Sequence, residues 1–426
     1  MKLTGDTLGY NFDNVQVDSF WNEGNEDEHK MHRIHTYPAK FPAFITTKAI
    51  NYSKDNGLKI KTIGDIFCGC GTTSYEARRN GIDFWGCDIN PVATLIAEVK
   101  SKKYCEETLN SYFEQIIINF DSIKTSDEEI ENINERIKFW FCNEQIRDLL
   151  RLKKSIYYTI PVRSHYRKFF LCAFSNILKK TSNWLLKSIK PQRDPNKIHY
   201  GVKKSFQDQF KLMQIANRES DLSRGTRVKI ETVNFLERKF RRPFVDLLIT
   251  SPPYVTSYEY ADLHQLSTLW LDYSEDFKSL RKGTIGSEFN FSDFKNDVKY
   301  LNNIGERIVF QLYNFDKSKA KAVARYYIDI QNCICKSYNI LNKGGMALFV
   351  IGNTELRGVK IDNARHLVES MITVGFSDID IVRRNISNKF LTPYRDDIGR
   401  FTTDRNSRIV YAEEFIVMGR KYGKCL

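Results

Sequence analysis

Four consecutive residues, Ser251, Pro252, Pro253 and Tyr254, end the apolar run Leu247-Leu248-Ile249. Neither proline can donate a backbone hydrogen bond and both fix φ, so a buried strand must stop there in a stiff corner. Ser251 Oγ and the Pro252 carbonyl are acceptors that the corner points the same way, without reorganisation when a ligand arrives. Tyr254 adds an aromatic face on which a flat ring can lie. Such a set suits a planar group carrying an exocyclic amine. Two acceptors take the two amine hydrogens and favour a tetrahedral nitrogen, whose localised lone pair attacks an electrophilic methyl. The chemistry needs neither a metal nor a covalent enzyme intermediate.

A second constellation lies upstream. In "DIFCGCGTTS", residues 65–74, the carboxylate of Asp65 and a glycine-rich turn fall between a predicted strand and a predicted helix. Gly69 and Gly71 let the backbone approach a ligand closely, and the helix that follows presents free N–H groups. Further on, Asp88 closes a second strand, where an open α/β sheet typically receives the two hydroxyls of a ribose. The pair of sites points to an adenosine-containing ligand. Cys68 and Cys70, like Cys333 and Cys335, lack the spacing of a zinc site, and no metal is expected. The chain shows neither a Gly-x-Ser-x-Gly elbow nor a cysteine in a nucleophile-like context.

The elements that must position these residues alternate. "KTIGDIF" and "IDFWGCD" read as strands, "TTSYEARRNG" as a helix closed by Gly81, and "NPVATLIAEVKSKKY" as a helix with Pro91 in its first turn. The pattern resumes with "RVKIETVNF" and "FVDLLIT". It continues through a long amphipathic helix that ends in a Gly-Gly turn, the strand "MALFVIG", a helix in "NARHLVESMITVGF", and the final strands "SDIDIVRRN" and "EEFIVMGRK". Alternation of this kind implies a mostly parallel sheet with helices on both faces.

The net charge of +13 is concentrated in one stretch. Residues 151–230 hold 19 Lys and Arg against 4 Asp and Glu, a surplus of 15, with aromatics between the cations. That pattern suits a phosphate-tracking surface. No apolar run approaches the ~20 residues that span a bilayer, and no signal-peptide pattern opens the chain. Nine cysteines without a secretory signal point to reduced thiols in a cytoplasm.

Together these stretches resemble the S-adenosylmethionine-dependent amino-methyltransferases of DNA, enzymes often found in bacterial restriction–modification systems. "DIFCGCGTT" is similar to that family's cofactor loop and "TSPPY" to its catalytic tetrapeptide. "HTYPAKFP" resembles the segment lining the methionine end of the pocket. "YNILNKGGMALFVIGN" resembles the helix–Gly-Gly–strand unit after the catalytic loop. Ile66 departs from the family's usual proline. "IETVN" lacks the acid that often meets the adenine amino group, leaving Asn234 as the candidate.

The resemblance implies a Rossmann-like class I methyltransferase sheet with an antiparallel last strand and a mostly helical basic insertion. It implies S-adenosylmethionine as cofactor, held at the amino-acid end by Asp65, Phe67, Gly69, Gly71 and Thr72, with Lys40, Phe41 and Pro42 at the methionine. Asp88 would take the ribose, and Asn90 would lie toward the adenine. Ser251, Pro252, Pro253 and Tyr254 would hold the target base.

A leading serine in the tetrapeptide is like the cytosine 4-amino subgroup, and a leading aspartate would be like the adenine 6-amino enzymes. The expected organisation is residues 1–100 with the cofactor loop, 101–227 as the recognition insertion, and 228–426 completing the methyltransferase domain. That last part includes the catalytic loop 250–260 and an insertion over 261–320. Lys187, Lys190, Arg193 and Lys197 are the candidate DNA contacts. The expected partners are double-stranded DNA and, acting on the same site, a cognate restriction endonuclease, with no membrane, in the cytoplasm of a bacterium or archaeon. The competing readings are an adenine-directed or RNA amino-methyltransferase and a catalytically silent DNA-binding subunit.

Overall fold

The computed structural model describes residues 2–3, 12–24, 27–38, 40, 42–255, 259–287, 289–290, 293–386, 394–395, 402, 404, 408–409 and 413–423. Phe41 and residues 256–258 of the expected catalytic loop lie outside the described residues.

The strands are β1 (Lys2–Leu3), β2 (Thr62–Asp65), β3 (Asp83–Asp88), β4 (Val228–Thr232), β5 (Val245–Thr250), β6 (Leu341–Ile351), β7 (Thr354–Leu356), β8 (Val359–Ile361), β9 (Ser377–Asn385), β10 (Tyr394–Arg395), β11 (Arg408–Ile409) and β12 (Glu413–Arg420). Eight of them form one sheet in the order β1-β9-β12-β6-β5-β2-β3-β4. β4, β3, β2, β5 and β6 run parallel to their neighbours, whereas β12 is antiparallel to both β6 and β9. This is a Rossmann-like sheet with antiparallel strands at one end. The order reverses direction at β2, so β2 and β5, the strands that carry the glycine loop and the di-proline corner, lie side by side with their carboxyl ends together. Ligands bind at such a switch point.

The continuous apolar run of β5 follows from burial on both sheet faces. Leu248 joins the core cluster that also contains Ile66, Cys87, Phe349 and Val417. Its neighbours Leu247 and Ile249 join the opposite cluster, with Ile63, Phe84, Leu348 and Ile416. The covering helices are α1 (Ala43–Asp55), α2 (Thr72–Arg79), α3 (Pro91–Lys100), α13 (Asn303–Tyr313), α14 (Lys317–Ile340) and α15 (Asn363–Thr373). The Gly-Gly pair expected to end α14 lies instead within β6: the helix stops at Ile340 and Gly344 takes φ +81° inside the following strand.

Between α3 and β4 come α4 (Glu106–Ser122), α5 (Asp127–Glu131), α6 (Glu135–Trp140), α7 (Asn143–Thr159), α8 (His165–Thr181) and α9 (Val202–Glu219). They form no separate core. Their buried residues, including Leu149, Phe170 and Phe206, share one cluster with Tyr75 of α2 and with Val92, Ile96 and Val99 of α3. After β5, the short helices α10 (Tyr260–Leu263), α11 (Gln265–Trp270) and α12 (Phe294–Lys299) lead to α13.

Gly71 shows how tightly the cofactor-loop helix is seated. It caps α2 with φ +79°, and a Cβ there would lie 2.6 Å from the Cα of Ala97 in α3. Gly57 has a similar φ, +78°, but faces open space. Gly71→Ala should therefore cost roughly 2–3 kcal/mol, from overpacking added to backbone strain. Gly57→Ala should cost about 1 kcal/mol, from strain alone. Chemical unfolding of the two variants measures the difference, and equal losses would refute the packing role.

Candidate active site

The carboxyl ends of β2, β3 and β5 open onto a cavity of about 390 Å³. Phe67, Cys68, Gly69, Cys70 and Thr72 supply one wall, and Asp88, Ile89 and Asn90 another. Ser251, Pro252, Pro253 and Tyr254 stand in the same cavity, so the two constellations share one space. Leu280, Gly283, Thr284 and Ile285 also line it. Their segment is fastened by Arg281, which forks onto Asp262 of α10 with hydrogen bonds of 2.7–3.0 Å.

Asp88 holds both carboxylate oxygens still. Oδ2 accepts the Gly69 amide and Oδ1 the Asn90 amide, each at 2.9 Å. Burial pushes its pKa up to about 6 against those two amides. Each oxygen keeps a lone pair, so the ionised group can accept hydroxyl protons from a vicinal diol. Ile89, Val233 and Phe235 give the adjoining wall an apolar surface suited to a flat ring. Gly69 takes φ +46°, and a Cβ there would lie 3.6 Å from the Tyr37 ring, so a side chain would narrow the slot. These residues fit an adenosine-type ligand.

Several expected contacts are arranged differently. Asp65 and Gly71 do not line the cavity. Asp65 is 1% exposed and turns to Thr250, whose hydroxyl donates to it at 2.7 Å, while the Phe67 amide donates at 3.1 Å. Burial, opposed by those two bonds, pushes its carboxyl up to about 7. Asp65 is a brace between the cofactor loop and the strand before the corner. Lys40 and Pro42 line the cavity, but the Lys40 ammonium is engaged by Glu28 at 2.9 Å and the His32 carbonyl at 3.0 Å. Asn90 is the N-cap of α3: its oxygen accepts the Val92 amide and its nitrogen donates to His264 at 2.8 Å. Asn234 also lines the cavity, with its oxygen on the Leu236 amide and its nitrogen near the Gly283 carbonyl.

At the corner, Ser251 Oγ donates its proton to the Val350 carbonyl of β6 at 3.0 Å. With the proton committed, the oxygen's lone pairs remain for an incoming N–H. Tyr254 is fixed by its hydroxyl, which donates to Glu414 Oε1 at 3.0 Å. The other Glu414 oxygen accepts Arg384 Nε at 2.8 Å. Burial beside Glu414 drives the Tyr254 phenol well above its usual pKa. Glu414 and Arg384 face each other across β12 and β9 and both line the cavity.

Glu414 and Arg384 carry no motif; the stacked Tyr37 and Tyr260 that also line the site fall inside the HTYPAKFP segment and the 250–260 loop without being singled out by either. Only the strand register, which pairs Glu414 with Arg384, brings those two charges together.

The basic loop 182–200 divides. Lys187, Lys190 and Arg193 are exposed, and Arg193 lies 5.1 Å from the Phe139 ring centroid. Lys197 is spent on three carbonyls, those of Lys179, Ser182 and Trp184, at 2.6–2.8 Å. Burial lowers its pKa to about 8. It fastens the loop to the end of α8. Among the described residues no group of His, Cys, Asp and Glu is arranged to hold a metal, and no helix is long and apolar enough to cross a membrane.

Residues 6–99 match the N6/N4 methyltransferase family, described as DNA methylase. The Type II methyltransferase M.MvaI of Kocuria varians is 24% identical over 437 residues, covering 96% of this chain and 95% of its own. The Type II methyltransferase M.MjaII of Methanocaldococcus jannaschii is 29% identical over 140 residues, 30% of this chain and 26% of its own. A solved SAM-dependent methyltransferase of Methanosarcina mazei is 9% identical, with a TM-score of 0.30, and covers 91% of this chain and 99% of its own. The family match and the full-length relative support a DNA amino-methyltransferase, whose methyl donor is S-adenosylmethionine.

The carboxylate of Asp88 is the form that accepts two hydroxyl protons. Cofactor affinity of the wild type should therefore weaken as pH falls below about 6, approaching about tenfold per pH unit. Asp88→Asn should bind more weakly at neutral pH and show no such fall. Calorimetric titration from pH 5 to 8 measures both, and a wild-type curve parallel to that of the variant would refute the assignment.

Proposed function

We propose that this chain is a site-specific DNA methyltransferase that transfers a methyl group from S-adenosylmethionine to the exocyclic 4-amino group of cytosine in duplex DNA. It would serve as the modification enzyme of a restriction–modification system in a bacterial or archaeal cytoplasm, alongside an endonuclease that reads the same site. The observation that carries the reading is the single cavity shared by Asp88, the Gly69 turn and the Ser251–Tyr254 corner. The full-length relative, named a type II methyltransferase, supports the same direction.

Bound S-adenosylmethionine supplies a methyl group on a positively charged sulfur. Asp88 holds the ribose, the backbone about Gly69 approaches the amino-acid end, and Lys40 steadies the segment beside it by its bonds to Glu28 and His32. Ser251 Oγ, its own proton directed to Val350, accepts one hydrogen of the target amine. The Pro252 carbonyl accepts the other, and the Tyr254 ring supports the base. The serine at the head of the corner favours cytosine over adenine.

A base inside a duplex must be extruded to reach this cavity, at a cost of a few kcal/mol. Phosphate contacts from Lys187, Lys190 and Arg193 offset it.

Incubation of duplex DNA with methyl-labelled cofactor, followed by nucleoside mass spectrometry, should yield N4-methylcytosine. Label in N6-methyladenine would overturn the cytosine reading, and unlabelled DNA would overturn the activity. Ser251→Ala and Tyr254→Ala should each abolish transfer while leaving cofactor affinity within about threefold, and transfer retained in both would remove the corner from the mechanism. Replacing Lys187, Lys190 and Arg193 with Glu should weaken DNA binding. It should also make the slope of log affinity against log salt shallower by about 2–3, since each lost phosphate contact contributes about 0.9. An unchanged slope would move the DNA surface elsewhere.

A further inference from the structure

A corner headed by serine raises a question of proton balance. When the amine nitrogen bonds to the methyl carbon, the carbon–sulfur bond breaks and sulfur keeps the electron pair. The nitrogen is left positively charged with one proton too many. Ser251 is not a base, because it already carries a proton and donates it to Val350. Among the described residues that line the cavity there are two carboxylates, Asp88 and Glu414. Asp88 is held at the Gly69 and Asn90 amides, on the ribose side. Glu414 is hydrogen-bonded to the catalytic corner itself.

We infer that Glu414, clamped by Arg384, is a positioning residue that acts through Tyr254 and takes up the proton released by the methylated amine. The inference rests on the methyltransferase reading above. After methyl transfer, the amine hydrogen that Ser251 Oγ had accepted turns to Tyr254 Oη and passes to it as the phenolic proton passes to Glu414 Oε1, so the phenol ends neutral and the carboxylate ends as the acid. The phenol is suited to relay and not to store the proton, because burial beside a carboxylate strongly disfavours phenolate.

The geometry supports the division of labour within the carboxylate. Oε2 is committed to Arg384, which leaves Oε1 for the tyrosine at 3.0 Å. Arg384 is 2% exposed, and its buried guanidinium, which also donates to the Trp21 carbonyl, holds the carboxylate in one orientation. A buried ion pair is weak evidence for stability on its own. Its placement against the hydroxyl of the corner tyrosine points to orientation as the gain.

Glu414→Gln and Tyr254→Phe keep size and packing while each breaks the relay. In single-turnover transfer to duplex DNA, each should be slower than wild type by about 100-fold, the lower range for proton-transfer catalysis. Affinity for S-adenosylhomocysteine should stay within about threefold, and the unfolding midpoints close to wild type. The double variant should be no slower than the slower single, because both changes interrupt one path. In cofactor-free protein labelled with 13Cζ-tyrosine, the resonance missing from Tyr254→Phe should shift in Glu414→Gln.

A Glu414→Gln rate within about threefold of wild type, multiplicative losses in the double variant, or an unmoved resonance would each overturn the proposal. Loss of cofactor affinity or of folding in both single variants would also overturn it, in favour of a purely structural pair. A wild-type chain that methylates no DNA fails at the first control and overturns the parent reading, so the two failures are told apart.

Discussion

The site depends on one buried hydrogen bond, from the Thr250 hydroxyl to Asp65 at 2.7 Å. Thr250 is the last residue of β5 and Asp65 the last of β2, so the bond joins the strand ends from which the di-proline corner and the glycine loop depart. The same carboxyl accepts the Phe67 amide and sets the first turn of the loop. A carboxyl so deeply buried is expensive to ionise, which is why its pKa is displaced upward despite two donors. The return on that cost is geometric. In the proposed methyl transfer, donor and acceptor must meet within bonding distance, and a brace at the two strand ends would fix their separation before either ligand arrives.

The corner follows a similar logic. Two prolines fix the backbone, the Ser251 proton is directed to Val350, and the Tyr254 hydroxyl is directed to Glu414, which Arg384 orients in turn. The Ser251 and Tyr254 hydroxyls are each held by a partner behind them, so these two groups reorganise little on binding. The basic helical segment is tied to this arrangement through a shared core. α4–α9 pack on α2 and α3, and Trp184 anchors the loop that carries the exposed cations near residue 190 in the same core.

Much of this was legible in the sequence because it depends on local chemistry. The alternation of strands and helices, the Gly81 and Pro91 helix boundaries, and the stop imposed by Pro252 and Pro253 all follow from backbone constraints that act over a few residues. The glycines of the loop were legible as backbone, though their duties differ: Gly69 borders the cavity, and Gly71 lets α2 approach α3. Asp65, Asn90 and Lys197 were legible as polar residues in meaningful places but not by direction, since a side chain's orientation depends on partners distant in sequence. The Glu414–Arg384 pair was not legible at all. It arises from the register of two antiparallel strands, and that register is set by the whole sheet.

The central claim is that one cavity brings a sulfonium methyl and an extruded base together at the Ser251–Tyr254 corner. The most direct measurement is a crystal structure of the chain with S-adenosylhomocysteine and a duplex containing its target site. The account predicts the ribose on Asp88, the sulfur facing the corner, and the flipped base with its amine on Ser251 Oγ and its ring against Tyr254. A ribose bound away from Asp88, or a base seated outside the corner, would contradict it.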